Sequence, residues 1–238
     1  MTPTDFESRL RAPSLRLLAG ELCAPLDALR FAAQWPALNR LPRGDGHAVL
    51  ILPGFGAGAW SLRPLRTALR RLGYAADDWG YGRNLGMRSH IKQGLTQQLQ
   101  ILFERSGGKV SLIGWSLGGV FARELARAHP QWVRCVMTLG SPINGDPEAN
   151  NMAPLFRLAN RGRSARVDRA GFERRKLAPS VPCIAIYTRS DGIVAWQASC
   201  EDAAANTENV EVRGTHLGLA FNHEVLRVIA HRLSTAAG

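Results

Sequence analysis

From residue 47 onward the chain alternates short apolar runs with longer amphipathic ones. The apolar runs are AVLIL (48–52), a weaker YAADDW (74–79), KVSLIGW (109–115), VRCVMTL (133–139), PCIAIYT (182–188) and NVEVR (209–213). Short runs rich in Val, Ile and Leu read as strands buried on both faces. Between them, LRPLRTALRRL (62–72), SHIKQGLTQQLQILFER (89–105) and LGGVFARELARAH (117–129) space their apolar residues as helices do. Ser89 is placed as the N-cap of the second of these, and a final helix is expected over 222–233. Such alternation predicts an α/β fold: a mostly parallel six-stranded sheet with helices on both faces.

Two segments depart from the alternation. Residues 6–35 carry Leu10, Leu15, Leu17, Leu18, Leu22, Leu26 and Leu29 at helical intervals, with breaks near Pro13 and Pro25. An N-terminal helical segment is therefore expected over 1–46. Residues 141–180 do not read as one helix, and are expected to form a small cap over the sheet. This Pro, Gly and Arg-rich insertion holds an apolar group, Met152, Leu155, Phe156 and Leu158. With 238 residues and no linker-like stretch, one domain is expected.

Composition narrows the function classes. Hydrophobic residues make up 45% and charged residues 21%, a soluble globular balance. No run approaches the length of a membrane span, and the N-terminus interleaves charge with its leucines, unlike a signal peptide. A cytoplasmic location is expected. Cys23, Cys135, Cys183 and Cys200 are scattered without metal-ligand spacing, so free thiols and no metal are expected.

The net charge of +11 raises the question of nucleic acid, but 27 of the 30 basic residues are arginines. Only Lys92, Lys109 and Lys176 are lysines, a ratio that reads as coding bias, and no nucleic-acid-binding motif is present. No nucleic-acid partner is expected. Residues 151–180 hold a local net of +6, a solvated face by the plain reading. A weak association of this basic cap with an anionic membrane surface, through Arg161, Arg163 and Arg166, is the sharper alternative.

ILPGFGAGAW (51–60) admits two chemistries. Gly54-x-Gly56-x-x-Ala59 after a strand fits a dinucleotide fingerprint, with Asp77 and Asp78 at about the expected offset of 20 residues. In that fold the helix opens inside the glycine motif, which would bury Pro64 in the helix interior at a cost of about 3 kcal/mol. A helix starting near Ser61 as N-cap accommodates Pro64 and leaves 53–60 as an open loop. The dinucleotide reading is rejected, and no cofactor is expected.

The stronger motif is Gly114-Trp115-Ser116-Leu117-Gly118, between an apolar strand and an amphipathic helix. A serine on so tight a turn projects its hydroxyl at the strand's end, and only small side chains fit two residues either side. In this strand-turn-helix setting the chain resembles the α/β-hydrolase family, and within it bacterial esterase and lipase-like members, over residues 47–236. The resemblance implies the α/β-hydrolase fold and a chain order of Ser, then Asp or Glu, then His. Asp191, directly after a strand in YTRSDGIV, is the preferred acid, with Asp146 in INGDP as its rival and Asp202 assigned to a surface helix. His216, between the last strand and last helix, is the preferred base. His47 and His90 precede the serine, while His129, His223 and His231 read as surface or capping residues.

Gly54-Phe55-Gly56 resembles the family's His-Gly-x oxyanion loop, with Pro53 in place of the histidine. The backbone N–H groups of Phe55 and Leu117 are accordingly assigned to the oxyanion hole. Trp60, Trp115, Leu155 and Phe156 are candidate lining residues for an acyl pocket, and Arg83 and Asn84 receive no role. The expected activity is hydrolysis of a small-molecule or lipid carboxylic ester with an apolar acyl chain. An acyltransferase using the same three residues remains open, and a non-catalytic lipid- or protein-binding module is the third reading.

Overall fold

The computed structural model describes residues 10–144, 150–159, 174 and 176–235. Asp146, Arg161, Arg163 and Arg166 lie outside the described residues. Six strands form one parallel sheet: β1 (Ala48–Leu52), β2 (Ala75–Asp78), β3 (Val110–Trp115), β4 (Val133–Leu139), β5 (Cys183–Tyr187) and β6 (Thr207–Glu211), in the order β2-β1-β3-β4-β5-β6. The helices are α1 (Leu15–Gly20), α2 (Ala24–Ala33), α3 (Arg63–Leu72), α4 (Ser89–Ser106), α5 (Leu117–Ala128), α6 (Ala153–Ala159) and α7 (His223–Thr235).

Alternation along β1 shows how the two layers are filled. Val49 and Ile51 pack with Leu65, Leu69 and Leu72 of α3 and Leu226, Ile229 and Leu233 of α7. Ala48, Leu50 and Leu52 pack on the other face with Leu95 and Leu99 of α4 and Phe121 and Leu125 of α5. The period of two along a strand sends successive side chains to opposite layers, so a strand covered by helices on both sides is apolar throughout.

Element ends follow local chemistry. α3 carries Pro64 in its first turn, where the missing N–H costs nothing, and ends on Gly73 with a φ of 102°. Ser61 does not cap it: residues Ala59–Leu62 form a 3-10 turn, and the Ser61 hydroxyl donates to the Gly58 carbonyl. Likewise Ser89 is the first helical residue of α4, and Arg88 occupies its N-cap without a side-chain bond. Asp202 lies in an exposed non-helical stretch, where it accepts from the Asn144 amide. The sixth strand begins two residues before the expected 209, because its pairing with β5 starts at the polar Thr207. β6 is a sheet edge with no fully buried residue, so backbone pairing there outruns the apolar signal of Val210 and Val212.

The segment before β1 is helical, with α1 and α2 joined by a 3-10 turn at Glu21–Cys23. Pro25 opens α2 instead of breaking it. Its polarity is inverted relative to the pattern of leucines. Leu15, Leu22 and Leu29 are 81%, 84% and 66% exposed, whereas Glu21 and Asp27 are 6% and 5% exposed. Leu10 and Leu18 pack on a small cluster of Ile193, Val194, Ala195 and Ala198, which Met152 also joins. The start of the segment between β4 and β5 lies on the same loop: Asn150 bridges Val194, and the Asn151 amide donates to the carbonyls of Gly192 and Pro13.

Leu69→Ala, in the α3 face against the sheet, should therefore lower unfolding stability by about 2–5 kcal/mol. Leu29→Ala, on the outward face of α2, should change it by no more than about 0.5 kcal/mol. Urea midpoints of the two variants decide this, and comparable losses would mean that the N-terminal leucines are covered in solution.

Candidate active site

β3 ends at Trp115 and α5 begins at Leu117, so one residue makes the whole turn. That residue, Ser116, has φ 53° and ψ −122°, and among the described residues no other non-glycine has a positive φ. Holding it there costs roughly 1–3 kcal/mol, which the surrounding contacts must offset. Its N–H donates to the Leu139 carbonyl at 2.8 Å, and its carbonyl accepts from Gly119 at 3.0 Å. A Cβ at Gly114 would lie 2.3 Å from Gly119, and one at Gly118 would lie 2.2 Å from the Leu52 carbonyl. The helix start thus fits against β3 and β1 only with glycine at both positions. Ser116 stays half-buried at the N-terminus of α5, where the helix dipole favours negative charge.

Asp191 and His216 lie on the loops that follow β5 and β6. Asp191 follows β5 and is buried; its Oδ1 accepts from the Ile193 and Val194 N–H groups at 2.8 and 2.7 Å. Its Oδ2 lies 2.6 Å from Nδ1 of His216, which follows β6 and is buried as well. The carboxylate is therefore oriented by its own loop and directed at one imidazole nitrogen, leaving Nε2 as the other polar atom of the ring. Burial pulls the His216 pKa down, but the charge and hydrogen bond of Asp191, with the charge of Glu21, outweigh it and hold it above the ordinary 6.5. Trp115 anchors the same loop, its indole N–H donating to the His216 carbonyl at 3.1 Å.

The loop after β1 completes the surroundings. A Cβ at Gly54 would stand 3.2 Å from Cβ of Ser116, so the loop lies against the serine and Phe55 is the next residue along. Asn84, wholly buried, fastens it on both sides of Phe55. Its side-chain amide donates to the Pro53 carbonyl at 2.7 Å, its carbonyl accepts from Gly56 at 2.7 Å, and its N–H donates to Ala57 at 2.8 Å. Among the described residues, the N–H groups of Phe55 and Leu117 have no hydrogen-bond acceptor. Leu117 occupies the first position of α5, where an N–H has no partner within the helix.

The remaining candidates separate. Phe156 of α6 meets Phe55 edge-to-face with ring centroids 5.2 Å apart, which brings α6 onto the loop beside Ser116. Leu155 is half exposed, and Trp60 is 71% exposed. Trp115 is buried with its N–H engaged, so its contact with the site is through the His216 loop. His47 precedes β1, at the opposite end of the sheet, bonded to Asp45 and Ser111, and His129 stacks on Trp132. All four cysteines are free, and no described group of His, Cys, Asp and Glu residues has the arrangement to hold a metal. No described helix is long and apolar enough to cross a membrane. Asn84 is the site residue that sequence reasoning passed over. Its signal was an amide between Arg83 and Leu85 in a glycine-flanked loop after a strand, where side-chain-to-backbone bonds are common.

Comparison with known proteins bears on the family and the fold. Residues 49–230 match the model of the Alpha/beta hydrolase family. Among curated relatives, a pimeloyl-[acyl-carrier protein] methyl ester esterase of Klebsiella pneumoniae is 32% identical over 99 residues, which is 41% of this chain and 37% of that protein. A triacylglycerol lipase of Pseudarthrobacter phenanthrenivorans is 32% identical over 95 residues, 40% of this chain and 28% of that protein. The matched segment thus spans only 28–37% of these relatives' own length. A solved structure from work on LipS and LipT, two metagenome-derived lipolytic enzymes, has a TM-score of 0.61 at 16% identity, covering 81% of this chain and 93% of its own. The monoacylglycerol lipase of Paleococcus ferrophilus superposes with a TM-score of 0.58 at 18% identity, covering 81% and 97%. The parallel sheet, the serine at the strand-to-helix turn and the match over three-quarters of the sequence place the chain in the alpha/beta hydrolase family.

Proposed function

We propose that the chain is a serine hydrolase of carboxylic esters, working through an acyl-enzyme on Ser116. The observation that carries this reading is the buried 2.6 Å contact between Asp191 and His216 at the sheet edge where Ser116 turns into α5. A serine hydroxyl needs a base to take its proton, and the base needs a carboxylate to hold its tautomer. Asp191 bonded at Nδ1 keeps that proton in place, so Nε2 is the basic nitrogen. His216 takes the proton of Ser116 as the hydroxyl oxygen attacks the ester carbonyl. The oxygen that becomes negative is stabilised by the N–H groups of Phe55 and Leu117. His216 then protonates the leaving alkoxide, and a water activated by the same ring releases the acid and restores the serine. Because the Phe55 donor sits on a loop pinned by Asn84, it is in place before the charge develops.

An apolar acyl part is the natural substrate class. The names of the relatives, an esterase for a pimeloyl methyl ester and lipases for acylglycerols, share an acyl ester. Phe156 lies against Phe55 at the edge of the proposed oxyanion loop, so an acyl chain would meet an aromatic surface there. The segment between β4 and β5 then acts as a cap that selects substrates without taking part in the chemistry.

Assays on p-nitrophenyl esters of graded chain length test the reading. Ser116→Ala, Asp191→Asn and His216→Ala should each lower kcat by about four orders of magnitude with the fold retained. Turnover by Ser116→Ala at the parent rate would remove the proposal. Adding an alcohol acceptor separates hydrolysis from acyl transfer, and free acid should remain the main product.

The pH dependence has a definite sign. Only neutral His216 can accept the serine proton, so kcat/KM should rise with pH through a single ionisation. Since Asp191 and Glu21 favour the charged imidazole, the midpoint should lie above 6.5. A rate that falls across that range, or a midpoint well below 6.5, would contradict the assignment.

Phe156→Ala should reduce kcat/KM for octanoate esters roughly ten-fold, as expected for about 1.4 kcal/mol of lost apolar contact, while sparing acetate esters. Equal losses at every chain length would make Phe156 a packing residue only.

A further inference from the structure

The N-terminal helices lie before the residues shared with the family, 49–230, yet their acidic side chains reach the two loops behind the site. Glu21 is almost wholly buried in the turn between α1 and α2. Its Oε1 accepts from the Gly192 N–H at 2.8 Å and from the His216 N–H at 3.0 Å, and its Oε2 accepts from Leu217 at 2.9 Å. One carboxylate therefore joins the loop carrying Asp191, at the residue directly after it, to the loop carrying His216, at that residue itself. Asp27, also buried, extends the clamp by accepting from the N–H and hydroxyl of Thr215, both at 3.0 Å. Three consecutive N–H groups, 215 to 217, thus end on carboxylates supplied from outside the shared fold.

The approach is close enough to constrain the chain on both sides. A Cβ at Gly192 would lie 2.3 Å from the Leu17 carbonyl, so α1 rests its backbone directly on the acid-bearing loop. Around the imidazole, the charged groups are Asp191 from the loop after β5 and Glu21 from the N-terminal turn. Asp27 stands behind Thr215, itself facing Arg30 at 3.6 Å, while β3, β4 and the turn after His216 contribute the uncharged Trp115, Gly140 and Leu219.

We infer that Glu21 is a positioning residue for this site, its carboxylate setting the spacing between the acid-bearing and base-bearing loops so that Asp191 and His216 meet. This rests on the proposed roles of those two residues. The free backbone donors of two separate loops have converged on one anion, so the geometry of the pair is held from behind and not only by their mutual bond. A negative charge so close to the histidine also favours its protonated form. The N-terminal segment is in this sense part of the site, although none of its atoms need touch the substrate.

Glu21→Gln keeps the shape, removes the charge and replaces one acceptor oxygen with a donor. It should lower kcat roughly 10- to 100-fold, the cost of a small misplacement at a reacting centre, with KM changed by less than about two-fold. The rising limb of kcat/KM should also move to lower pH, because a charge favouring imidazolium is gone. Glu21→Asp retains the charge but is one methylene short of spanning both loops, so kcat should fall while the limb moves less. If Asp191→Asn is inactive while Glu21→Gln keeps the parent kcat and pH profile, the inference about Glu21 fails and the reading of the site stands. If Asp191→Asn retains activity, the reading of the site fails first. Should Glu21→Gln not fold, hydrogen exchange of the unaltered protein provides the decision. The amides of Gly192, His216 and Leu217 should exchange slowly and as a group, and fast independent exchange would overturn the clamp.

Discussion

The hydrogen bond between Asp191 and His216 is the contact on which the rest of the structure converges. Both groups are buried, and a carboxylate and an imidazole taken out of water are stable only when their polar atoms are satisfied. Asp191 meets this demand with two N–H groups from its own loop and the His216 ring, which leaves it one orientation. His216 is held by Trp115 through its carbonyl and by Glu21 through its N–H. Neither loop could place these side chains alone. Their meeting requires that β5 and β6 be parallel neighbours, so that both loops leave the same edge of the sheet. Parallel order is in turn what the helical crossovers impose.

The serine stands at a different structural singularity. Strand order reverses at β1, flanked by β2 on one side and β3 on the other, so the connections after β1 and β3 run to opposite layers. The Phe55 loop and Ser116 follow those two strands. The strained φ of Ser116 and the buried amide of Asn84 each fix a backbone segment at this end of the sheet. Strain at a single residue is offset by the packing of α5 on β1 and β3, which is why glycine flanks the turn on both sides.

Residues whose burial is dictated by their own period were legible from the sequence. The ends of β1 and β4 fall where the apolar runs end, and the elbow is where its glycine spacing places it. The N-terminal segment was legible as helix but not in its orientation. Its leucines repeat at helical intervals, yet Leu15, Leu22 and Leu29 face outward, because the inner face is set by Glu21 and Asp27 binding loops about 170 to 190 residues away. Periodicity is a local signal and carries no information about which distant backbone donors await a carboxylate. The same holds for Asn84, whose three bonds to the Phe55 loop arise only once β1 and β2 are paired. Ser61 and Ser89 show the converse limit. Each is a good capping residue, yet a 3-10 turn before α3 and an early start of α4 leave both inside the helical turn.

The most direct test of the account is the site of covalent modification by a fluorophosphonate, read by intact mass and peptide mapping. One adduct per chain is expected, on Ser116, with its rate rising with pH in step with kcat/KM. An adduct on another serine, or ester hydrolysis that persists after Ser116 is fully modified, would contradict it.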